Sequence, residues 1–214
     1  MVKAIFFDLD GTLINTLPLY LKSYDEALKK FGFNYSDKKV VETCFSKTED
    51  AICKKLGIPE KIKEFKSLYF SGVENHFIEG KLFDGVFEVL KLAKKSNVEL
   101  VIISFAYRWY IDKIMENLDL NKYFKLVIGF EDVKRPKPDP EAVIKACNEL
   151  GIKPEEAVVI GDSKGDILMG NSAGAQSILF HPPSYNLFYD LEELQKSKPT
   201  NIVQNFKEIK KLLF

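Results

Sequence analysis

Apolar residues recur along this chain in short, strand-length runs at Ala4 to Phe7, Glu99 to Ser104, Lys125 to Phe130, Ala157 to Ile160 and Ser177 to Phe180. Each run is bounded by polar or turn-forming residues, which is the pattern of strands buried on both faces. Between the later runs the periodicity changes to that of amphipathic helices, over Gly85 to Lys95, Tyr107 to Leu118, Pro140 to Leu150 and Asp166 to Ala173, each near a Gly, Pro or Asp boundary. Strand and helix in alternation predict a parallel sheet with helices on both faces. Right-handed crossovers then make the core a doubly wound α/β fold.

The interval before Phe83 breaks this rhythm, with several helical patterns and no convincing strand. Pro18 suits a first helical turn, and Leu19, Leu28 and Phe31 are compatible with one buried stripe. Further on, Ile62, Phe65, Leu68, Tyr69, Val73 and Phe77 mark a second amphipathic helix. Residues 15–82 therefore read as an inserted helical domain, and residues 1–14 with 83–214 as the α/β core. The tail from Pro199 to Phe214 reads as a closing helix.

A length of 214 residues suits one core with an insertion. Lys plus Arg and Asp plus Glu both number 31, so no global field attracts nucleic acid or anionic lipid, and neither is expected as a partner. No apolar run reaches the length of a membrane span. Cys44, Cys53 and Cys147 form no CxxC pair, which suits reduced structural thiols and argues against zinc or disulfides. A cytoplasmic, soluble protein is expected, as a monomer or homodimer.

Ligands of open α/β sheets bind at the carboxyl ends of strands, and four such ends carry polar groups: Asp8-Leu9-Asp10-Gly11-Thr12, Ser104, Lys137-Pro138-Asp139-Pro140, and Gly161-Asp162-Ser163-Lys164-Gly165-Asp166. Each has a local structural reading. Asp8 to Thr12 can be a strand followed by an Asp-Gly turn, Ser104 a cap, Asp139 an N-cap with Pro140 opening a helix, and Asp166 a capping residue. Taken together they point to chemistry. If Asp8, Asp10, Asp162 and Asp166 converge, each close like-charge pair costs roughly 4 kcal/mol at an effective dielectric of about 20, and the cluster calls for a cation. Oxygen donors with no Cys or His beside them favour a hard ion, and Mg²⁺ suits a site that also receives phosphate oxygens.

This order of motifs resembles the haloacid dehalogenase-like superfamily, particularly its phosphoglycolate phosphatase-type members with a helical cap inserted after the first motif. The resemblance rests on Asp8-x-Asp10-Gly11-Thr12 and Gly161-Asp162-x-x-x-Asp166, with Ser104 and Lys137 in order between them. It implies a Rossmann-like core, a helical cap that serves as a lid, and hydrolysis of a small phosphorylated metabolite. It further implies Asp8 as nucleophile, Asp10 as acid and then base, and Mg²⁺ held by Asp8, Asp162 and the backbone carbonyl of Asp10. Ser104 and Lys137 would bind the phosphoryl oxygens, and Asp166 would orient a metal-bound water or Lys137. Arg135 is a second candidate for the lysine position, and Lys137 is chosen because its motif runs directly into a helical pattern.

Phe105-Ala106 stands where many relatives carry a polar residue, and Phe83-Asp84-Gly85 replaces the commoner Pro-Gly bend. A sugar-phosphate mutase is the nearest enzymatic alternative, disfavoured because Tyr20 stands where those relatives use a cap histidine. A noncatalytic phosphate-ligand sensor is the alternative from another class, disfavoured by the presence of both Asp8 and Asp10. His76 and His181 are expected to be structural or surface residues, and the cap loop Ser46 to Thr48 to contribute to substrate choice.

Overall fold

The structure, a computed structural model, describes residues 2–45 and 47–214, and of Ile78 the backbone alone. Ser46, first residue of the loop expected to select substrate, lies outside the described residues. Six strands are described: β1 (Ala4–Phe7), β2 (Glu99–Ile103), β3 (Leu126–Ile128), β4 (Ala157–Gly161), β5 (Gln176–Phe180) and β6 (Asn201–Val203). The helices are α1 (Leu17–Lys30), α2 (Asp37–Cys44), α3 (Glu49–Lys55), α4 (Ile62–His76), α5 (Val86–Lys95), α6 (Arg108–Asn117), α7 (Glu141–Leu150), α8 (Lys164–Ala173), α9 (Leu191–Gln195) and α10 (Phe206–Leu213). The chain divides into two compact units, Met1–Asn15 with Leu82–Phe214, and Thr16–Lys81.

In the larger unit the sheet order is β3-β2-β1-β4-β5-β6, and every pairing is parallel. The doubly wound α/β, Rossmann-like class is thus the observed one. β1 is central, with Phe7 in register with Ile102 on one side and Ile160 on the other. Side chains alternate across a strand, and here Phe6 packs in the cluster that holds Val143 and Ala146 of α7 and Met169 of α8. Phe7 faces the opposite layer and stacks on Phe206 of α10. Each of these fully buried rings contributes about 1.5–3 kcal/mol of apolar transfer free energy. The strand order reverses between β1 and β4, the position where open α/β sheets form their binding crevice.

Several boundaries differ from expectation. The closing helix does not begin at Pro199: Asn201–Val203 pairs with β5 as an edge strand, and the helix starts at Phe206. Only Val203 of that strand is buried, so it leaves almost no apolar signal. β3 stops at Ile128, because Gly129 donates its N–H to the Asp132 carboxylate at 2.8 Å and the chain turns through a 3₁₀ segment. Asp139 accepts from the Glu141 N–H at 3.0 Å, while Pro140 rather than Asp139 holds the N-cap position of α7.

In the inserted unit, Thr16–Lys81, α1 buries Leu17, Leu21, Tyr24 and Leu28. The stripe is therefore centred on these residues, with Leu19 and Phe31 only half-buried. Tyr24 stacks on Tyr69 of α4 with ring centroids 4.0 Å apart. Gly72 allows close approach, since a Cβ there would lie 3.1 Å from the Cβ of Ser23. His76 is buried rather than superficial, and its ring nitrogens contact Glu79 and Glu26. Among the described residues no helix is long and apolar enough to cross a membrane.

Candidate active site

The switch point places Asp8, one residue past β1, opposite Asp162, one residue past β4. The Asp8 N–H donates to the Ile160 carbonyl at 2.9 Å, which locks the strand end to its neighbour. Immediately afterwards the chain must turn, and Gly11 does so at φ +81°. A side chain there would be strained by that φ, and its Cβ would lie 2.5 Å from an Asp162 oxygen. Gly161 is required for a similar reason, because a Cβ at that position would fall 2.2 Å from Cγ of Asp166.

Asp166 belongs to the first turn of α8, and the local capping reading and the site reading hold together. The Ser163 N–H and hydroxyl donate to its Oδ2 at 3.1 and 2.6 Å, while Ser163 Oγ accepts from the Asp166 N–H at 3.4 Å, closing a reciprocal capping box. Its other oxygen, Oδ1, accepts from Lys137 Nζ at 2.5 Å. The same ammonium donates to Asp8 Oδ1 at 2.6 Å. Lys137 is thereby held between two carboxylates in a buried site. Arg135 points elsewhere, pairing with Asp139 at 2.7 Å on the surface.

Asp8, Asp162 and Asp166 each offer an oxygen within 4.8 Å of the others. The Asp10 carboxylate is not one of these three, but its charge acts on Asp8 from close by. Past the strand end the backbone turns, and Asp10 Oδ1 accepts from the Tyr110 hydroxyl at 2.8 Å. Ser104 follows β2, is buried, and its Oγ accepts from the Ala106 N–H at 3.1 Å. Thr12 Oγ1 lies 3.5 Å from Asp8 Oδ2.

The electrostatics of this cluster are dominated by burial. Desolvation raises the Asp8 carboxyl to about 7, against the pull of Lys137 and with the push of Asp166. Burial, reinforced by the charges of Asp8 and Asp166, raises Asp162 well above the ordinary carboxylate range. For Lys137, burial disfavours the charge, yet Asp166 and Asp8 outweigh it and hold the ammonium above its ordinary value. One ammonium thus faces several buried carboxylates. The donors are all oxygen and the surplus charge is negative, so these residues fit a hard divalent cation.

Sequence reasoning did not single out three tyrosines. Besides Tyr110 on Asp10, Tyr189 donates to Asp162 Oδ2 at 2.9 Å and Tyr185 to the Gly11 carbonyl at 2.8 Å. Burial first, and then the nearby carboxylates, hold the hydroxyls of Tyr185 and Tyr189 far above their ordinary value, so they act as neutral donors. The usable signal was Pro182-Pro183 after the β5 run, which marks another strand end followed by aromatic residues. His181, at that same end, is buried and its Nε2 contacts Asn186.

The chain is similar to several known proteins. The profile described as haloacid dehalogenase-like hydrolase matches residues 5–180. A pyrophosphatase PpaX of Halalkalibacterium halodurans is 32% identical over 180 residues, covering 82% of this chain and 82% of its own. A phosphorylated carbohydrates phosphatase of Thermotoga maritima is 27% identical over 215 residues, covering 97% of this chain and 100% of its own. A crystal structure of a HAD family hydrolase from Deinococcus radiodurans superimposes with a TM-score of 0.86 at 20% identity, covering 99% of this chain and 95% of that one, which speaks to the fold alone.

Proposed function

Since the chain belongs to the haloacid dehalogenase-like hydrolases, we propose that it is a magnesium-dependent phosphatase that hydrolyses a small phosphorylated metabolite through a phosphorylated Asp8. The observation that carries this reading is the buried Lys137 ammonium bridging Asp8 and Asp166, beside the three clustered carboxylates. An anionic nucleophile meeting an anionic phosphate needs such fixed positive charge.

Asp8 supplies the attacking oxygen, dividing one difficult displacement into the formation and the breakdown of an aspartyl-phosphate. Lys137 neutralises Asp8 and a phosphoryl oxygen together, as a compact ammonium can. The Ser104 hydroxyl donates to a second phosphoryl oxygen. Asp10 delivers a proton to the leaving alcohol and, once ionised, takes a proton from the water that releases phosphate. Asp166 holds Lys137 in place while its other oxygen is committed to Ser163. Asp8, Asp162 and the Asp10 carbonyl would hold Mg²⁺, which when bound supplies further positive charge against the transferring group.

The names of the relatives support pyrophosphate and sugar phosphates as first choices in a substrate panel. The deciding experiment follows inorganic phosphate release from p-nitrophenyl phosphate and from that panel, with Mg²⁺ and with chelator. Release that requires Mg²⁺ is expected. Full activity in chelator would exclude the mechanism, phosphate passed to a sugar instead of water would make the enzyme a mutase, and binding without turnover would make it a sensor.

A further inference from the structure

Tyr110 stands in the first turn of α6, six residues after Ser104, and is only 7% exposed. A tyrosine buried for packing alone still needs a partner for its hydroxyl. Here that partner is Asp10, at 2.8 Å, a hundred residues away in sequence. The bond ties the loop after β1 to the helix after β2. Trp109 packs edge-on against the Tyr110 ring at 6.1 Å and 85°, which helps to fix the ring.

We propose that Tyr110 is the positioning residue for proton transfer by Asp10, an inference that rests on the reading of Asp10 as the acid and base. A protonated carboxyl has one O–H donor and retains acceptor capacity on its other oxygen. With the Tyr110 hydroxyl donating to Oδ1, that oxygen takes the acceptor role and Oδ2 carries the transferable proton. In the first half-reaction an Asp8 oxygen bonds to phosphorus, the bond from phosphorus to the leaving oxygen breaks, and its electron pair takes the proton from Asp10 Oδ2. In the second, Asp10 Oδ2 accepts a proton from water as the water oxygen bonds to phosphorus and the Asp8 carboxylate departs. Both protons pass through the same oxygen, so its orientation governs both steps.

The test is a leaving-group series, because help from an acid matters most when the departing oxygen is basic. Tyr110→Phe keeps the ring and removes only the hydroxyl. Its kcat/KM is measured with Mg²⁺ on aryl phosphates of one shape, from p-nitrophenyl to p-methylphenyl phosphate, beside Asp10→Asn and the double variant. General acid help is worth about 10²–10⁴-fold, and loss of its orientation should forfeit part of that. The expected loss in Tyr110→Phe is about twofold for the nitrophenyl ester and about tenfold or more for the methylphenyl ester, with no further loss when the change is made on Asp10→Asn. A merely structural role would lower every ester equally. Should Asp10→Asn show the graded loss while Tyr110→Phe shows a uniform loss or none, the positioning role is wrong and the acid assignment stands. If Asp10→Asn itself shows no leaving-group dependence, the acid assignment falls and takes this proposal with it.

Discussion

The carboxyl ends of β1 and β4 offer the same chemistry in different company. Each ends in a buried aspartate, Asp8 or Asp162, and burial lifts both carboxyls above their ordinary range. Asp8 has an ammonium at 2.6 Å, whereas Asp162 Oδ2 accepts from the neutral Tyr189 hydroxyl at 2.9 Å. A hydroxyl orients a carboxylate without cancelling its charge. Lys137 thus contacts the β1 aspartate directly, and reaches the β4 aspartate only through its charge. On the proposed mechanism this is a division of labour, in which Lys137 serves the nucleophile and Asp162 serves the metal.

The severest way to break this comparison is at β1 itself. Asp8→Asn should lower turnover by on the order of 10⁶, the scale of nucleophile loss in other hydrolases that act covalently. It should also abolish the acid-quenched phosphoenzyme seen with a labelled phosphate ester. A trapped phosphoenzyme in that variant would place the nucleophile elsewhere.

Removing the protein's own cation comes next in size. Lys137→Ala should cost roughly 10²–10³ in kcat, as loss of a preorganised charge-stabilising donor does elsewhere. Arg135→Ala should stay within about twofold, because Arg135 pairs with Asp139 on the surface while Lys137 holds Asp8 and Asp166. Steady-state rates of both variants at saturating Mg²⁺ decide the matter. A severe Arg135 defect beside a mild Lys137 defect would reverse the assignment.

How far these residues could be read from sequence depends on how each leaves its mark. β1 and β4 are unbroken apolar runs because both faces are covered, and the polar residues that follow them stand out at once. β6 left no such mark, since an edge strand with one buried residue has neither an apolar run nor an alternation. Lys137 could be set above Arg135 because the helical pattern of α7 begins directly after its motif. The bond from Tyr110 to Asp10 was not legible, since it joins residues a hundred positions apart on different elements. Tyr110, Tyr185 and Tyr189 read as ordinary aromatic positions, because one hydroxyl on an otherwise packed ring alters no periodicity.

The mildest test leaves every residue in place and changes only pH and metal. The Asp8 carboxyl is raised by burial from 3.8 to about 7, and Asp162 shifts in the same direction. A carboxyl whose folded value exceeds its unfolded value binds more protons in the folded state between the two values, so its stabilising contribution is complete below pH 4 and is lost as pH rises through about 7. In chelator, the melting temperature should therefore fall between pH 5 and pH 8 by more in the native protein than in Asp8→Asn, where that titration is absent. Mg²⁺ should act with the opposite slope, because its ligands must be ionised and its binding releases protons. At about a hundredfold excess over its dissociation constant, a ligand adds roughly 2.7 kcal/mol. At about 2–4 °C per kcal/mol for a chain of this size, that is a rise of about 5–10 °C, largest at pH 8 and shrinking toward pH 5. A Mg²⁺ shift of equal size at both pH values would mean that the ion binds away from the buried carboxylates, and the division of labour between β1 and β4 would then lose its basis.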